Sequence, residues 1–436
     1  MVRASELPGG GPRRIRLGTV GGGQGAFIGA VHRMAARLDD RFELVAGCLA
    51  SYPERARSSA AELGLAPDRT YTDFEEMARR EARLSRGIEA VAIVAPNHLH
   101  APVARAFLRR GIHVICDKPL TTSLREARRL HEAVARSGLV FVLTHNYTGY
   151  PMVRQARAVV AEGLVGPIRV VQVEYAQDWL ATPLERAGHK QAEWRTDPAR
   201  AGPAGCTGDI GTHAANLASF VTGLAIEAVA ADLQTFVPGR PLDDNAHLLL
   251  RFAGGARGML WASQVAPGNA NGLRLRVYGE KAGLEWAQEE PETLRFAPLG
   301  VPPRVIRRAG PGAHPAAVRA SRIPAGHPEG YLEGFATLYR EAAEAILARI
   351  EGRAPDPGIG PLPGVEEGLA GVAFVEAAVR SSRRGGRWVE LAPRGSGSGR
   401  RARAGPDAPA RGPGDRGPLD QQDEAERRAR GPRARG

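Results

Sequence analysis

Between residues 15 and 150, short apolar runs alternate with longer amphipathic stretches. IRLGTV, FELVAGCLA, GIEAVAIVAP, HVICDK and VFVLTHN are near-continuous hydrophobic runs, which read as strands covered on both faces. Between them, GAVHRMAARL, PERARSSAAELG, DFEEMARREAR, HAPVARAFLRRG and LREARRLHEAVARSG space their apolar residues as helices do. Such alternation predicts a parallel sheet with helices on both sides, an α/β doubly wound (Rossmann) domain over residues 14–149. From Tyr150 the pattern changes. MVRQARAVVAEGLVG is helical, and IRVVQVEYAQ, EAVAADLQTFV, AHLLLRFA, ARGMLWASQVA and GLRLRVYG then alternate in character. That periodicity predicts a large, mainly antiparallel open sheet with one solvent or ligand face. GYLEGFATLYREAAEAILARI and GVEEGLAGVAFVEAAVRSS supply two closing helices, so residues 150–392 read as a second, α+β domain. Residues 1–13 read as a Gly/Pro-rich arm, and 393–436, without apolar periodicity, as a disordered Arg/Gly/Pro-rich tail.

Composition narrows the function classes. A chain of 436 residues with 43% hydrophobic and 24% charged positions has room for two proper cores. No apolar run reaches ~18 residues, so no membrane span is expected. The first residues lack a secretory h-region, and the Arg13–Arg14 pair precedes a strand and glycine loop instead of a signal's apolar segment. Cys48, Cys116 and Cys206 are widely spaced and form no metal-binding pair. A cytoplasmic protein without a metal site is the expectation. The net charge of +12 invites a nucleic-acid partner, but residues 394–436 hold eleven Arg against six carboxylates, and so carry +5 of it. With only three lysines in the chain, the excess is a general arginine bias and not a designed patch. No nucleic-acid or membrane partner is expected.

Four segments carry candidate chemistry. VGGGQGAFIG, between the first strand and helix, is a glycine loop where backbone can approach a pyrophosphate at a helix N-terminus. Its spacing departs from GxGxxG: after Gly21 and Gly23 the third place is Ala26, and Gly29 as the helix-packing glycine makes the loop three residues longer. Gln24, Gly25 and Phe27 complete it as cofactor-binding candidates. The second strand ends in Leu49–Ala50–Ser51–Tyr52 without an acid before Glu54; an acid there would accept from the ribose 2′-hydroxyl. Ser51, Arg55 and Arg57 are placed to meet a 2′-phosphate, or Arg55 and Arg57 are surface residues of a helix; NAD and NADP both stay open. VAIVAPNHLHAPVA precedes HVICDKPLTT, and GCTGDIGTHAANLASF sets Asp209 and His213 four apart, on one face of a helix. Taken alone, that spacing fits a structural hydrogen-bonded pair as well as a catalytic one.

Strand–APNxxH–helix–strand–DKP together resembles the Gfo/Idh/MocA oxidoreductases (glucose–fructose oxidoreductase, inositol dehydrogenase and a rhizopine catabolic protein), over about Ile15 to Leu391. The resemblance implies that Pro96, Asn97 and His100 lie over the cofactor at the end of a fourth strand. It implies that Lys118 reaches nicotinamide and substrate, with Pro119 shaping the turn by a cis bond. Asp117 stands where the family carries Glu. His213 would be the general base, with Asp209 holding substrate or tuning that base and Lys118 stabilising the alkoxide. Tyr147, at the end of a sixth strand, and Trp194 and Arg195 are the substrate-facing candidates, with Gln264, Asn269 and His327 as further pocket residues. The implied activity is NAD(P)-dependent oxidation of a secondary alcohol on a sugar, inositol or glycoside, by a homodimer or homotetramer. An NAD-dependent glycosidase using transient oxidation and a non-catalytic nucleotide sensor are the alternatives; reduction of an aldehyde or imine is a third.

Overall fold

In the computed structural model, which describes residues 13–391, the five predicted buried runs form one sheet. The arm before Arg13 and the tail of the sequence reading lie outside the described residues. Strands β1 (Ile15–Gly21), β2 (Phe42–Cys48), β3 (Ala90–Val94), β4 (His113–Cys116) and β5 (Phe141–Leu143) pair in parallel, in the order β2-β1-β3-β4-β5. Every residue of β3, β4 and β5 is buried, as continuous apolar runs require. Helices α1 (Phe27–Leu38), α2 (Pro53–Glu62), α3 (Phe74–Glu81), α4 (His100–Leu108) and α5 (Leu124–Ser137) connect them. A lone parallel bridge joins Thr70 to Gly47 on the outer side of β2. Counted as a strand it would give the order 3-2-1-4-5-6 of a dinucleotide-binding sheet. As it is a single bridge, the segments expected after a fourth and a sixth strand follow β3 and β5. The strand order reverses between β1 and β3, where ligand crevices open in such sheets.

The second sheet holds nine strands. After α6 (Pro151–Ala161), the five predicted strands are β6 (Ile168–Ala176), β7 (Ile226–Gln234), β8 (Asn245–Phe252), β9 (Arg257–Ser263) and β10 (Gly272–Gly279). Four more, β11 (Ala282–Ala287), β12 (Thr293–Pro298), β13 (Arg304–Arg307) and β14 (Val389–Glu390), extend it beyond the sequence reading. Pairing is antiparallel throughout except between β6 and β9. β8 shows why one face is open: Leu248, Leu250 and Phe252 are buried, while His247, Leu249 and Arg251 point outward.

The remaining helices are α7 (Lys190–Arg195), α8 (Pro198–Ala201), α9 (Thr212–Thr222), α10 (Pro315–Ala320), α11 (Tyr331–Glu351) and α12 (Val365–Ser382). From their apolar patterns the last two are expected to close the second domain, but α11 returns to the parallel sheet. Its Phe335, Tyr339, Ala342 and Ile346 share one apolar cluster with Ile15, Leu17, Val31 and Ile115. α12 bridges both layers: Val365, Leu369 and Val372 pack with Leu130 and Leu143, while Phe374, Val375 and Val379 join the core under the large sheet. No helix of the described residues is long and apolar enough to cross a membrane.

Candidate active site

The glycine loop turns on positive φ at Gly21 (83°), Gly22 (70°) and Gly25 (72°). A side chain at Gly21 would meet the Val94 carbonyl oxygen at 2.4 Å, and one at Gly29 would meet Gly22 at 2.4 Å. Gly29 is therefore the helix-packing glycine of a lengthened loop. α1 starts with no acidic residue in its first turn, which leaves its N-terminus free to receive an anion. The loop borders a cleft of about 380 Å³. Gly21, Gly23, Gln24, Ala26, Ser51, Arg55, Pro96, Asn97, Asp117, Lys118, Trp194, Arg195 and Asp209 all line it. Gly25 and Phe27 do not. They face a separate hollow beyond the loop with Arg33 and Glu62, and Phe27 lies 67% exposed against Tyr331, ring centroids 6.4 Å apart. Five cations (Arg55, Lys118, Lys190, Arg195, Arg200) face three carboxylates across the cleft, a balance suited to a pyrophosphate. A larger cavity of about 820 Å³ lies elsewhere, against α9, β7 and α12, and contains none of the residues that converge on Asp209.

The turn after β4 is held from several sides. The Lys118–Pro119 peptide is cis, as the family resemblance implies. The Asp117 carboxylate folds back on its own turn, accepting from the Lys118 amide (2.8 Å) and the Thr144 hydroxyl (3.0 Å). His100 is not spread over the cleft. It is 1% exposed, with Nδ1 2.6 Å from the Pro119 carbonyl and Nε2 2.9 Å from that of Ala95. It thus ties the ends of β3 and β4 together, because the start of α4 aims it inward. Asn97 crosses to the other side of the cleft, its side-chain amide donating to the Ala201 carbonyl at 3.0 Å.

Asp209 sits in a π-helical turn, Thr207–Gly211, and not in a uniform α-helix as its spacing to His213 suggested. Such turns are frequent at functional sites. Asp243 anchors this turn, accepting from the Gly205 amide (2.7 Å), the Thr207 amide (2.9 Å) and the Thr207 hydroxyl (2.7 Å). A Cβ at Gly205 would come within 2.1 Å of the Asp243 carbonyl oxygen, so only glycine fits. The Asp209 carboxylate receives Lys118 Nζ (2.7 Å), Arg195 Nε (3.2 Å) and Gln264 Nε2 (2.9 Å). Burial would raise its pKa, but the Lys118 ammonium and Arg195 guanidinium outweigh it and hold the carboxyl well below its usual range. Arg195 is itself stacked on Trp194, 4.2 Å from the ring centroid.

His213 is buried, and burial first, then the charge of Lys118, pushes its pKa well below 6.5. Its Nδ1 is sealed without a partner, and Nε2, with no hydrogen bond to the protein, is the atom left for a ligand. Tyr147 is not at the cleft surface. It is 3% exposed and lies edge-on to His213 at 5.0 Å, its hydroxyl 2.5 Å from that of Tyr175. Tyr175 donates to Asn271 Oδ1 (2.8 Å), which also accepts from Gln177 Nε2 (2.7 Å). Tyr175, Gln177, Asn271 and Asp243 escape the sequence reading: none sits in a motif, and the only hint was a polar residue at a strand end. Gln264 joins the site. Asn269 bonds its own loop at Ala266, and His327 lies away from it, its carbonyl accepting from Arg308.

Two family models match this chain, the oxidoreductase family with an NAD-binding Rossmann fold over residues 15–145 and the GFO/IDH/MocA C-terminal domain over 153–285. The chain belongs to the Gfo/Idh/MocA oxidoreductase family. An oxidoreductase of Sinorhizobium meliloti shares 57% identity with it, covering 86% of this chain and 99% of its own at a TM-score of 0.79. An inositol dehydrogenase homologue from Azotobacter vinelandii, solved with NADH and myo-inositol, is 38% identical (87% and 98% covered, TM-score 0.81). Levoglucosan dehydrogenase of Pseudarthrobacter phenanthrenivorans is 29% identical over 87% of this chain and 98% of its own.

As a Gfo/Idh/MocA member the protein is an NAD(P)-dependent oxidoreductase with an NAD-binding Rossmann fold. Its residues fit the coenzyme. The cradle at Gly21 and Gly23 would be filled by any Cβ, and the helix behind it begins without an acid.

Proposed function

We propose that this protein is a dehydrogenase that oxidises a secondary alcohol of a sugar, inositol or related glycoside to a ketone, with NAD or NADP as hydride carrier. The observation that carries this reading is one juxtaposition: Lys118 Nζ lies 2.7 Å from the Asp209 carboxylate, beside a buried neutral His213 with no protein partner. When bound, the nicotinamide accepts the hydride from the carbinol carbon. The residues supply the rest. His213 Nε2 takes the hydroxyl proton, and a neutral imidazole is the form able to do so. The Lys118 ammonium stabilises charge developing on the substrate oxygen, in a site shielded from water. Asp209, kept ionised, fixes Lys118 and Arg195. The Trp194–Arg195 stack offers a flat apolar face with donors beside it, suited to a polyhydroxylated ring. The relatives named for inositol and levoglucosan support that substrate class. The second strand's end, with Ser51 and Arg55 and no acid lining the cleft, suits either coenzyme. The open face of the large sheet, with Leu249 56% and Met259 44% exposed, supports assembly as a homodimer or homotetramer.

The test is direct. Purified protein is incubated with NAD+ or NADP+ and a panel of inositols, aldoses and anhydrosugars, and reduced nicotinamide is followed by absorbance. Turnover with at least one polyol, lost in Lys118→Ala and His213→Ala, is expected. No turnover with any polyol contradicts the proposal.

A further inference from the structure

Of the five cations along the coenzyme cleft, Lys118 and Arg195 are already held, both by Asp209. Arg55, Lys190 and Arg200 make no ion pair among the described residues, and Glu193, the remaining carboxylate of the lining apart from Asp117, is exposed and pairs with none of them. Arg55 and Lys190 come from different domains. Arg55 stands in the first turn of α2 in the Rossmann domain, and Lys190 opens α7 in the second. They are close enough to act on each other. Partial burial, then the like charge of Arg55, lowers the Lys190 pKa, and no carboxylate offsets either. Two cations brought together across a cleft without a counter-charge repel, and an anion between them relieves that repulsion.

The segment that delivers Lys190 is fastened at both ends. At its start, the Arg240 side chain is 2% exposed and donates to the carbonyls of Leu180 (3.0 Å) and Thr182 (3.3 Å). Its guanidinium also meets the Glu185 carboxylate (3.1 and 3.0 Å) and that of Asp244 (3.2 Å). At the far end, Asn97 of the Rossmann domain holds the Ala201 carbonyl. Between them His189 caps α7, its Nδ1 accepting from the Ala192 amide at 3.3 Å, and its ring lies 5.9 Å from that of Trp179. Lys190 is therefore carried to the cleft by a clamped strap. On the facing side, Arg55 Nη2 donates to the Gln24 carbonyl at 2.8 Å, which sets the guanidinium against the glycine loop and leaves the rest of its fork for a ligand.

We infer that Lys190 is a coenzyme-binding residue supplied by the second domain, acting with Arg55 on the pyrophosphate that NAD and NADP share. The bond from Arg55 to the glycine loop favours the pyrophosphate over a 2′-phosphate. Because α7 also carries Trp194 and Arg195, a coenzyme held in this way ties the two domains together at the wall the substrate meets. The inference does not depend on which alcohol is oxidised.

The test is a binding measurement with no alcohol present. Dissociation constants for NADH, NADPH and ADP-ribose are measured by calorimetry on wild type, Lys190→Met and Lys190→Arg. Lys190→Met should weaken all three by about tenfold, the scale of a lost charge-assisted hydrogen bond. The loss should shrink at about 1 M salt, where the Debye length is short. Lys190→Arg, which keeps the charge, should bind like wild type. The melting temperature of Lys190→Met should be unchanged, since the side chain is exposed. A loss confined to NADPH would overturn the pyrophosphate assignment in favour of the 2′-phosphate. Equal affinities of wild type and Lys190→Met for all three ligands would overturn the inference outright. Neither result bears on the dehydrogenase reading, which turnover with a polyol tests separately.

Discussion

Lys118 is one of three lysines in a chain otherwise charged by arginine, and its ammonium is held by both the carboxylate and the backbone carbonyl of Asp209, each at 2.7 Å. Lys118→Met keeps the length and removes the charge. It should lower kcat by about 10²- to 10³-fold, the scale of a lost oxyanion-type donor, with melting temperature close to wild type because Arg195 and Gln264 still hold Asp209. The pH profile isolates His213. Its pKa in the folded protein lies well below 6.5, so the imidazole stays neutral as pH falls from neutrality through 6.5. kcat/KM for oxidation should therefore show no acid limb until well below that value; an acid limb at or above 6.5 would remove His213 as the base. At this scale the motifs were legible because their parts are close in sequence: DKP is three residues and Asp209–His213 is one turn. His100 and Tyr147 were misplaced for one shared reason. A motif fixes where a backbone lies, but packing decides whether the ring turns to the cleft or to the core.

The elements explain how the site is kept in register. The π-helical turn Thr207–Gly211 depends on Asp243, whose three strong bonds to Gly205 and Thr207 come from the loop preceding β8. Asp243→Ala should cost about 3 kcal/mol in a denaturant melt, the scale of orphaned buried donors, and should lower kcat through displacement of Asp209. At the other wall, Gly29→Ala places a Cβ 2.4 Å from Gly22. Overpacking of this kind costs about 1–3 kcal/mol, and NAD+ affinity should fall at least tenfold, measured by fluorescence titration, since the glycine loop must shift. The strands from β1 to β10 were readable from apolar periodicity. β11 to β13 were not, because TLRFAP and RVIR are short, charged and bounded by Gly and Pro, so they resemble loop until they pair. Nor could periodicity show that α11 covers the parallel sheet: an apolar stripe states that a helix is buried, not against what.

Across the whole molecule, buried neutral histidines link stability to pH. His32, His113, His145 and His213 all have pKa values lowered mainly by burial, His113 to about 4 and His145 to about 3. Unfolding exposes them, so below pH ~6.5 the unfolded chain binds more protons and stability falls as pH falls. The melting temperature should decline from pH 6.5 downward, before the carboxylates titrate; a flat profile to pH 4 would contradict it. The large sheet's open face makes a separate expectation: Leu249→Asp should shift the sedimentation profile toward monomer. The central claim, hydride transfer from a polyol carbon, is tested most directly by isotope. A polyol found active in the panel, deuterated at the carbinol carbon, is oxidised with NAD+ and the reduced nicotinamide is weighed by mass spectrometry. One deuterium transferred per turnover, with none in His213→Ala, is predicted; reduced nicotinamide without deuterium, or ketone formed without reduced nicotinamide, would contradict the account.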